Sequence, residues 1–110
     1  MTRALFICGK ARMRSPTAAD VARERWTIET DFAGLSNDAD EKLSPEQIAW
    51  ADVVLVMERR QRARLNALFG AALRGRKVVV LDIPDRFGYM DENLVALLEQ
   101  RLGKHFGPMR

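Results

Sequence analysis

The stretch Arg3-Ala4-Leu5-Phe6-Ile7-Cys8-Gly9-Lys10-Ala11-Arg12-Met13-Arg14-Ser15-Pro16 decides the fold of this chain. Residues 3–8 form an apolar run without polar alternation, the pattern of a strand buried on both faces of a parallel sheet. Ser15-Pro16 offers a helix N-cap followed by proline at the first helical position, which predicts a helix over 16–26. Strand, short loop and helix in that order put Cys8 and the residues after it where a strand's carboxyl end meets a helix N-terminus. Ligands of open α/β sheets bind at that edge.

The same alternation continues outward. Residues 29–33, 53–57 and 77–82 read as three further strands, the last two rich in Val and Leu. Ser44-Pro45-Glu46-Gln47 is a capping box opening a short helix through Trp50. Residues 58–69 are Arg-rich on one side, carry Ala63, Leu65, Leu68 and Phe69 on the other, and stop at Gly70. Asp91 caps a last helix near 92–105 with Leu94, Val95, Leu97, Leu98 and Leu102 on its apolar stripe. The expected fold class is α/β: four parallel strands with helices on both faces, in a single domain spanning residues 1–110. Trp26 and Trp50 read as core or half-buried anchors, and the sole histidine, His105, has no assigned role.

The bulk numbers fit. A chain of 110 residues, 47% hydrophobic and 30% charged, can bury one core without staples. No apolar run approaches a membrane span or a signal peptide, so the expectation is a cytoplasmic protein without membrane attachment. The single cysteine excludes an intramolecular disulfide and a CxxC zinc or redox site, and no metal or other cofactor is expected. Net charge is +3, with Arg supplying 14 of 18 cations; the planar Arg fork suits bidentate oxyanion binding. Glu58-Arg59-Arg60-Gln61-Arg62-Ala63-Arg64 is a basic helix face whose simplest reading is a solvated surface, with steering of an acidic phosphopeptide as the functional one. No aromatic residues interleave with it to stack on bases, which counts against nucleic acid.

The loop Cys8–Ser15 has the parts of a phosphate site with a nucleophile. Its backbone N–H groups can curl into an anion nest on a helix N-terminus, a field that also favours thiolate over thiol. Arg14 can fold back to grip two phosphate oxygens, and Ser15 can donate a hydrogen bond to the sulfur. Arg fills 14 of 110 positions and Ser plus Thr seven, so an Arg six residues after the cysteine followed by Ser or Thr arises by chance about 1% of the time. The plain alternative for Cys8 is an inert buried thiol.

Cys8, Arg14, Ser15 and Pro16 match the C-x5-R-S-P signature of the low-molecular-weight protein tyrosine phosphatases, and the chain resembles that family further along. Ala33-Gly34 follows the second strand, Ala51-Asp52 enters the third, Met57-Glu58 leaves it, and an acidic loop follows the fourth. The resemblance implies strand order 2-1-3-4 and hydrolysis of a phosphomonoester, phosphotyrosine above all, through a cysteinyl-phosphate. Cys8 is then the nucleophile, and Gly9, Lys10, Ala11, Arg12, Met13, Arg14 and Ser15 surround the phosphate. The partner is a phosphorylated protein or a small phosphate ester; the oligomeric state is open. Four positions depart from the family: Ala11 stands where it has Asn, Lys10 where it has Gly, Phe32 where it has Ser, and Met13 where it often has a second cysteine. The chain is also shorter between the second and third strands.

A leaving oxygen needs a proton, and a placed carboxylic acid can supply it. In Asp82-Ile83-Pro84-Asp85-Arg86-Phe87-Gly88-Tyr89-Met90-Asp91, Asp85 best resembles the family's acid, Asp82 is the alternative, and Asp91 is better explained as a cap. Phe87 and Tyr89 are expected either to wall the pocket or to pack against the last helix. Three other readings compete. An arsenate reductase working by a thiol cascade needs two more cysteines. A phosphocysteine carrier does not need Arg14. A phosphate-binding module with degraded catalysis is suggested by Ala11.

Overall fold

The structure is a computed structural model and describes residues 2–109. Eight elements alternate: β1 (Arg3–Cys8), α1 (Arg14–Trp26), β2 (Glu29–Gly34), α2 (Pro45–Trp50), β3 (Val53–Val56), α3 (Arg59–Phe69), β4 (Lys77–Val80) and α4 (Glu92–Phe106). The strands form one sheet in the order β2-β1-β3-β4, and every neighbouring pair is parallel. This is the expected α/β class and strand order.

Successive strand residues point to opposite faces, which explains why the strands are apolar throughout. Ala4, Phe6 and Cys8 of β1, with Val53 and Leu55 of β3, pack under Ala18, Ala22, Leu94 and Leu98 of α1 and α4. Leu5 and Ile7, with Val54 and Val56, pack on Ile48 of α2 and Leu65 of α3. Leu5, Phe6 and Ile7 are fully buried, each contributing roughly 1.5–3 kcal/mol over an exposed side chain. β1 is thus an interior strand clamped from both sides, and Cys8 at its end inherits that rigidity.

Several boundaries differ from the sequence expectation. α1 begins at Arg14, two residues early, with Met13 at the N-cap position and no side-chain cap. Pro16 tolerates this because the first four helical N–H groups lack intrahelical acceptors anyway. Ser15 therefore lies inside the helix instead of capping it. β3 stops at Val56, although the Met57 amide still donates to the Ile7 carbonyl of β1 at 3.1 Å; the Gln61 side chain accepts from the Met57 and Glu58 amides at 3.1 and 2.9 Å where the chain enters α3. β4 stops at Val80, and Asp82 turns the chain with a left-handed φ of 55°. Gly70 does not end the helical path: its φ is −50°, and the chain keeps turning until Gly75 at φ 77°. The apolar stripe of α3 is also narrower than expected, since Ala63 and Leu68 are exposed. The caps at Ser44 and Asp91 form as read, the latter accepting from the Asn93 amide at 2.8 Å. Trp26 is buried and Trp50 half-buried. Among the described residues no helix is long and apolar enough to cross a membrane.

Candidate active site

Cys8 ends β1 with its side chain almost fully buried, 3% exposed. Its Sγ accepts from the Ala11 amide at 3.2 Å and lies 3.1 Å from Ser15 Oγ. The loop around it is shaped by its carbonyls. Those of Cys8, Gly9 and Lys10 accept from the amides of Leu35, Ser36 and Asp40 at 3.1, 2.9 and 2.9 Å. In a trans peptide the carbonyl and the next N–H point opposite ways, so the N–H groups of Gly9, Lys10 and Ala11 turn inward. Together with the N-terminus of α1 they make a cup of positive partial charge around the sulfur.

Gly34 makes this cup possible. A Cβ there would lie 2.6 Å from Gly9 O, 2.7 Å from Ala39 Cβ and 2.9 Å from the Ala11 nitrogen. The loop rests on bare β2 backbone. Ala11 itself sits at φ 60°, the left-handed region that costs a non-glycine residue roughly 1–2 kcal/mol.

Arg14, the first residue of α1, is 4% exposed. Its Nη1 donates to Glu58 Oε1 at 2.7 Å and to the Ile83 carbonyl at 2.8 Å. A buried guanidinium needs such partners. Glu58, just after β3, is the residue that sequence reasoning left inside a charge run. Burial pushes its carboxyl up, but hydrogen bonds from Arg14 and Arg60 outweigh this and hold it below the usual range. The signal that could have found it is a carboxylate at the end of the strand beside β1, on the edge where Arg14 has to be neutralised. Asp85 Oδ1 lies 3.7 Å from Arg14 Nε.

These groups open on one cleft of about 740 Å³, lined by Cys8, Gly9, Lys10, Arg12, Met13 and Arg14, then by Asp85 and by Arg60, Gln61 and Arg64 of α3. Of the three candidate acids only Asp85 lines it; Asp82 is exposed elsewhere and Asp91 caps α4. Lys10 and Arg12 point sideways into ion pairs with Asp38 at 3.2 Å and Asp40 at 3.0 Å. Phe87 and Tyr89 do not wall the cleft. Phe87 packs against the core under α1 and α4, and Tyr89 donates its hydroxyl to Asp20 of α1, a bond that raises the phenol's pKa. The Met90 amide donates to Thr17 Oγ1 at 3.0 Å, a second tie between the acid loop and α1. No cluster of potential metal ligands occurs among the described residues.

No protein-family model and no curated protein matches the sequence. Solved structures match over nearly its whole length. The YwlE arginine phosphatase of Geobacillus stearothermophilus aligns at TM-score 0.72 and 24% identity, over 94% of this chain and 92% of that one. SP-PTP of Streptococcus pyogenes, a low-molecular-weight protein tyrosine phosphatase, aligns at 0.79 and 13%, over 94% and 90%. The chain has the low-molecular-weight protein tyrosine phosphatase fold. The tyrosine phosphatase Wzb of Escherichia coli K30, solved with phosphate, shares that fold at 0.74 and 23%, over 93% and 94%. Within the low-molecular-weight phosphatase fold the Cys8 cup occupies the carboxyl edge of the sheet, the edge to which the sequence assigned it.

Proposed function

We propose that this chain is a cysteine-dependent phosphatase acting on phosphomonoesters, with phosphotyrosine as the expected substrate and the tyrosyl oxygen as the leaving group. The observation that carries the reading is the Cys8 sulfur in a cup of inward amides beside a buried Arg14. Because Nη1 of Arg14 is committed to Glu58 and Ile83, its Nε–Nη2 edge is the one left to hold two phosphoryl oxygens, the bidentate mode that guanidinium favours.

The chemistry follows from those positions. The Cys8 thiolate attacks phosphorus in line with the ester oxygen, forming the S–P bond as the P–O bond breaks. Arg14 and the loop amides stabilise the charge on the equatorial oxygens. Asp85, protonated, gives its proton to the leaving oxygen. Ionised, it then takes a proton from water, which attacks phosphorus and displaces the thiolate, and Ser15 donates a hydrogen bond to the departing sulfur. Known phosphatases of the same fold and the absence of Asp82 and Asp91 from the cleft support these assignments. A thiol-cascade arsenate reductase does not fit a chain with one cysteine.

One observation favours a second reading. Ala11 holds a left-handed backbone without a side chain able to brace it, which suits a phosphate-binding module of low turnover. Hydrolysis of p-nitrophenyl phosphate separates the two. Cys8→Ser is expected to abolish turnover, Arg14→Ala to lower it about 10²–10³-fold, and Asp85→Asn about 10²–10⁴-fold. Phosphate binding by the wild type without turnover would select the module.

A further inference from the structure

The cleft is larger than a phosphoryl group requires, and its charge is uneven. Five lining residues are cations, Lys10, Arg12, Arg14, Arg60 and Arg64, against Asp85 alone. On one flank the charge is matched: Lys10 pairs with Asp38 and Arg12 with Asp40. On the α3 flank it is not. Arg60 Nη2 reaches Glu58 Oε1 at 3.2 Å, an oxygen that Arg14 already holds at 2.7 Å. Arg64 makes no ion pair among the described residues. Arg60 and Arg64 are four residues apart on one helix, so their side chains share a face. No aromatic residue lines the cleft, so an aromatic leaving group finds no ring to stack on there.

We infer that the cleft is a two-anion site: the Cys8 loop takes the phosphoryl group, and Arg60 with Arg64 takes a second anionic group, a carboxylate or another phosphate, of the same substrate. This rests on the phosphatase reading and names its substrate class. A phosphoryl donor whose leaving group carries a cation, such as a phosphorylated guanidine, meets repulsion from the same two arginines. The second anion has two sources, an acidic residue beside a phosphorylated side chain or the acid group of a small phosphorylated metabolite.

The test is kcat/KM of the full chain on paired substrates. One pair is a phosphotyrosine peptide with Asp or with Lys flanks; the other is phenyl phosphate with or without a ring carboxylate. The acidic member of at least one pair is expected to win by about tenfold, as two exposed ion pairs allow, chiefly through KM and less so at high salt. The Arg60→Gln/Arg64→Gln double variant should lose the preference, and Arg60→Glu/Arg64→Glu should invert it. Preference in the peptide pair alone assigns a phosphoprotein, and in the phenyl pair alone a small acid. Equal kcat/KM within both pairs, or a preference that survives the double variant, overturns the inference while leaving the phosphatase intact. No turnover of any ester overturns the phosphatase instead. Calorimetric binding of the same pairs to Cys8→Ser then decides the two-anion site, equal affinities overturning it.

Discussion

Two loops meet at the carboxyl edge of the sheet, and they are built differently. The loop after β1 is fixed by backbone: three of its carbonyls are tied to residues 35–40, it rests on Gly34, and Cys8 is buried. The loop after β4 is exposed along most of its length and is tied by a few bonds, from Met90 to Thr17, from Tyr89 to Asp20, and through the Ile83 carbonyl to Arg14. On the proposed reading the contrast has a use: a nucleophile has to be held in one geometry, whereas a proton donor that later activates water gains from freedom to move. Arg14 joins the two loops, since it belongs to the first and touches Ile83 and Asp85 of the second.

The largest expected effect comes from Gly34→Ala. The added methyl has to displace backbone on the rigid side, costing about 3 kcal/mol by overpacking and most of the activity, read by thermal unfolding and p-nitrophenyl phosphate turnover. Next is Glu58→Gln, which removes the charged partner of Arg14 and costs about 2 kcal/mol. It carries a pH signature. The carboxyl titrates below its unfolded value of 4.5, so its contribution is present above that pH and is lost as pH falls through the lower folded value. Glu58→Gln should therefore flatten the acid limb of the stability–pH curve, measured by urea unfolding at pH 3 to 7. Ala11→Gly works in the opposite direction: relief of the left-handed strain should stabilise the chain by about 1 kcal/mol, seen as a higher urea midpoint. Smallest is Tyr89→Phe, which cuts one of the ties between the loop after β4 and α1. Stability should change by less than about 0.5 kcal/mol, while kcat shifts a few-fold. A large loss of stability there would erase the contrast between the loops.

The loop after β1 was legible in the sequence and the loop after β4 was not. An apolar run ending at Cys8, a short loop and a proline-marked helix are local patterns, and local patterns fix where Cys8, Arg14 and Ser15 stand. Strand order and the Ala33-Gly34 match came with the family resemblance, and the contacts a Cβ at Gly34 would make with Gly9, Ala39 and Ala11 supply the physical reason for the glycine. Glu58 was hidden because its partner lies 44 residues away and it is embedded in arginines that resemble any solvated helix face. Phe87 and Tyr89 faced a choice between cleft and helix that periodicity cannot make in an irregular loop. Packing against the core made it for Phe87, and a hydrogen bond to Asp20 of α1 made it for Tyr89.

The lone cysteine lies at the floor of the cleft, so this chain carries its own counting device. Any reagent that consumes one thiol per molecule also reports, without a background from other sulfhydryls, what fraction of a preparation has Cys8, the proposed nucleophile, intact. Anions lodged in the cup should slow that labelling, turning a routine alkylation assay into a direct measure of occupancy.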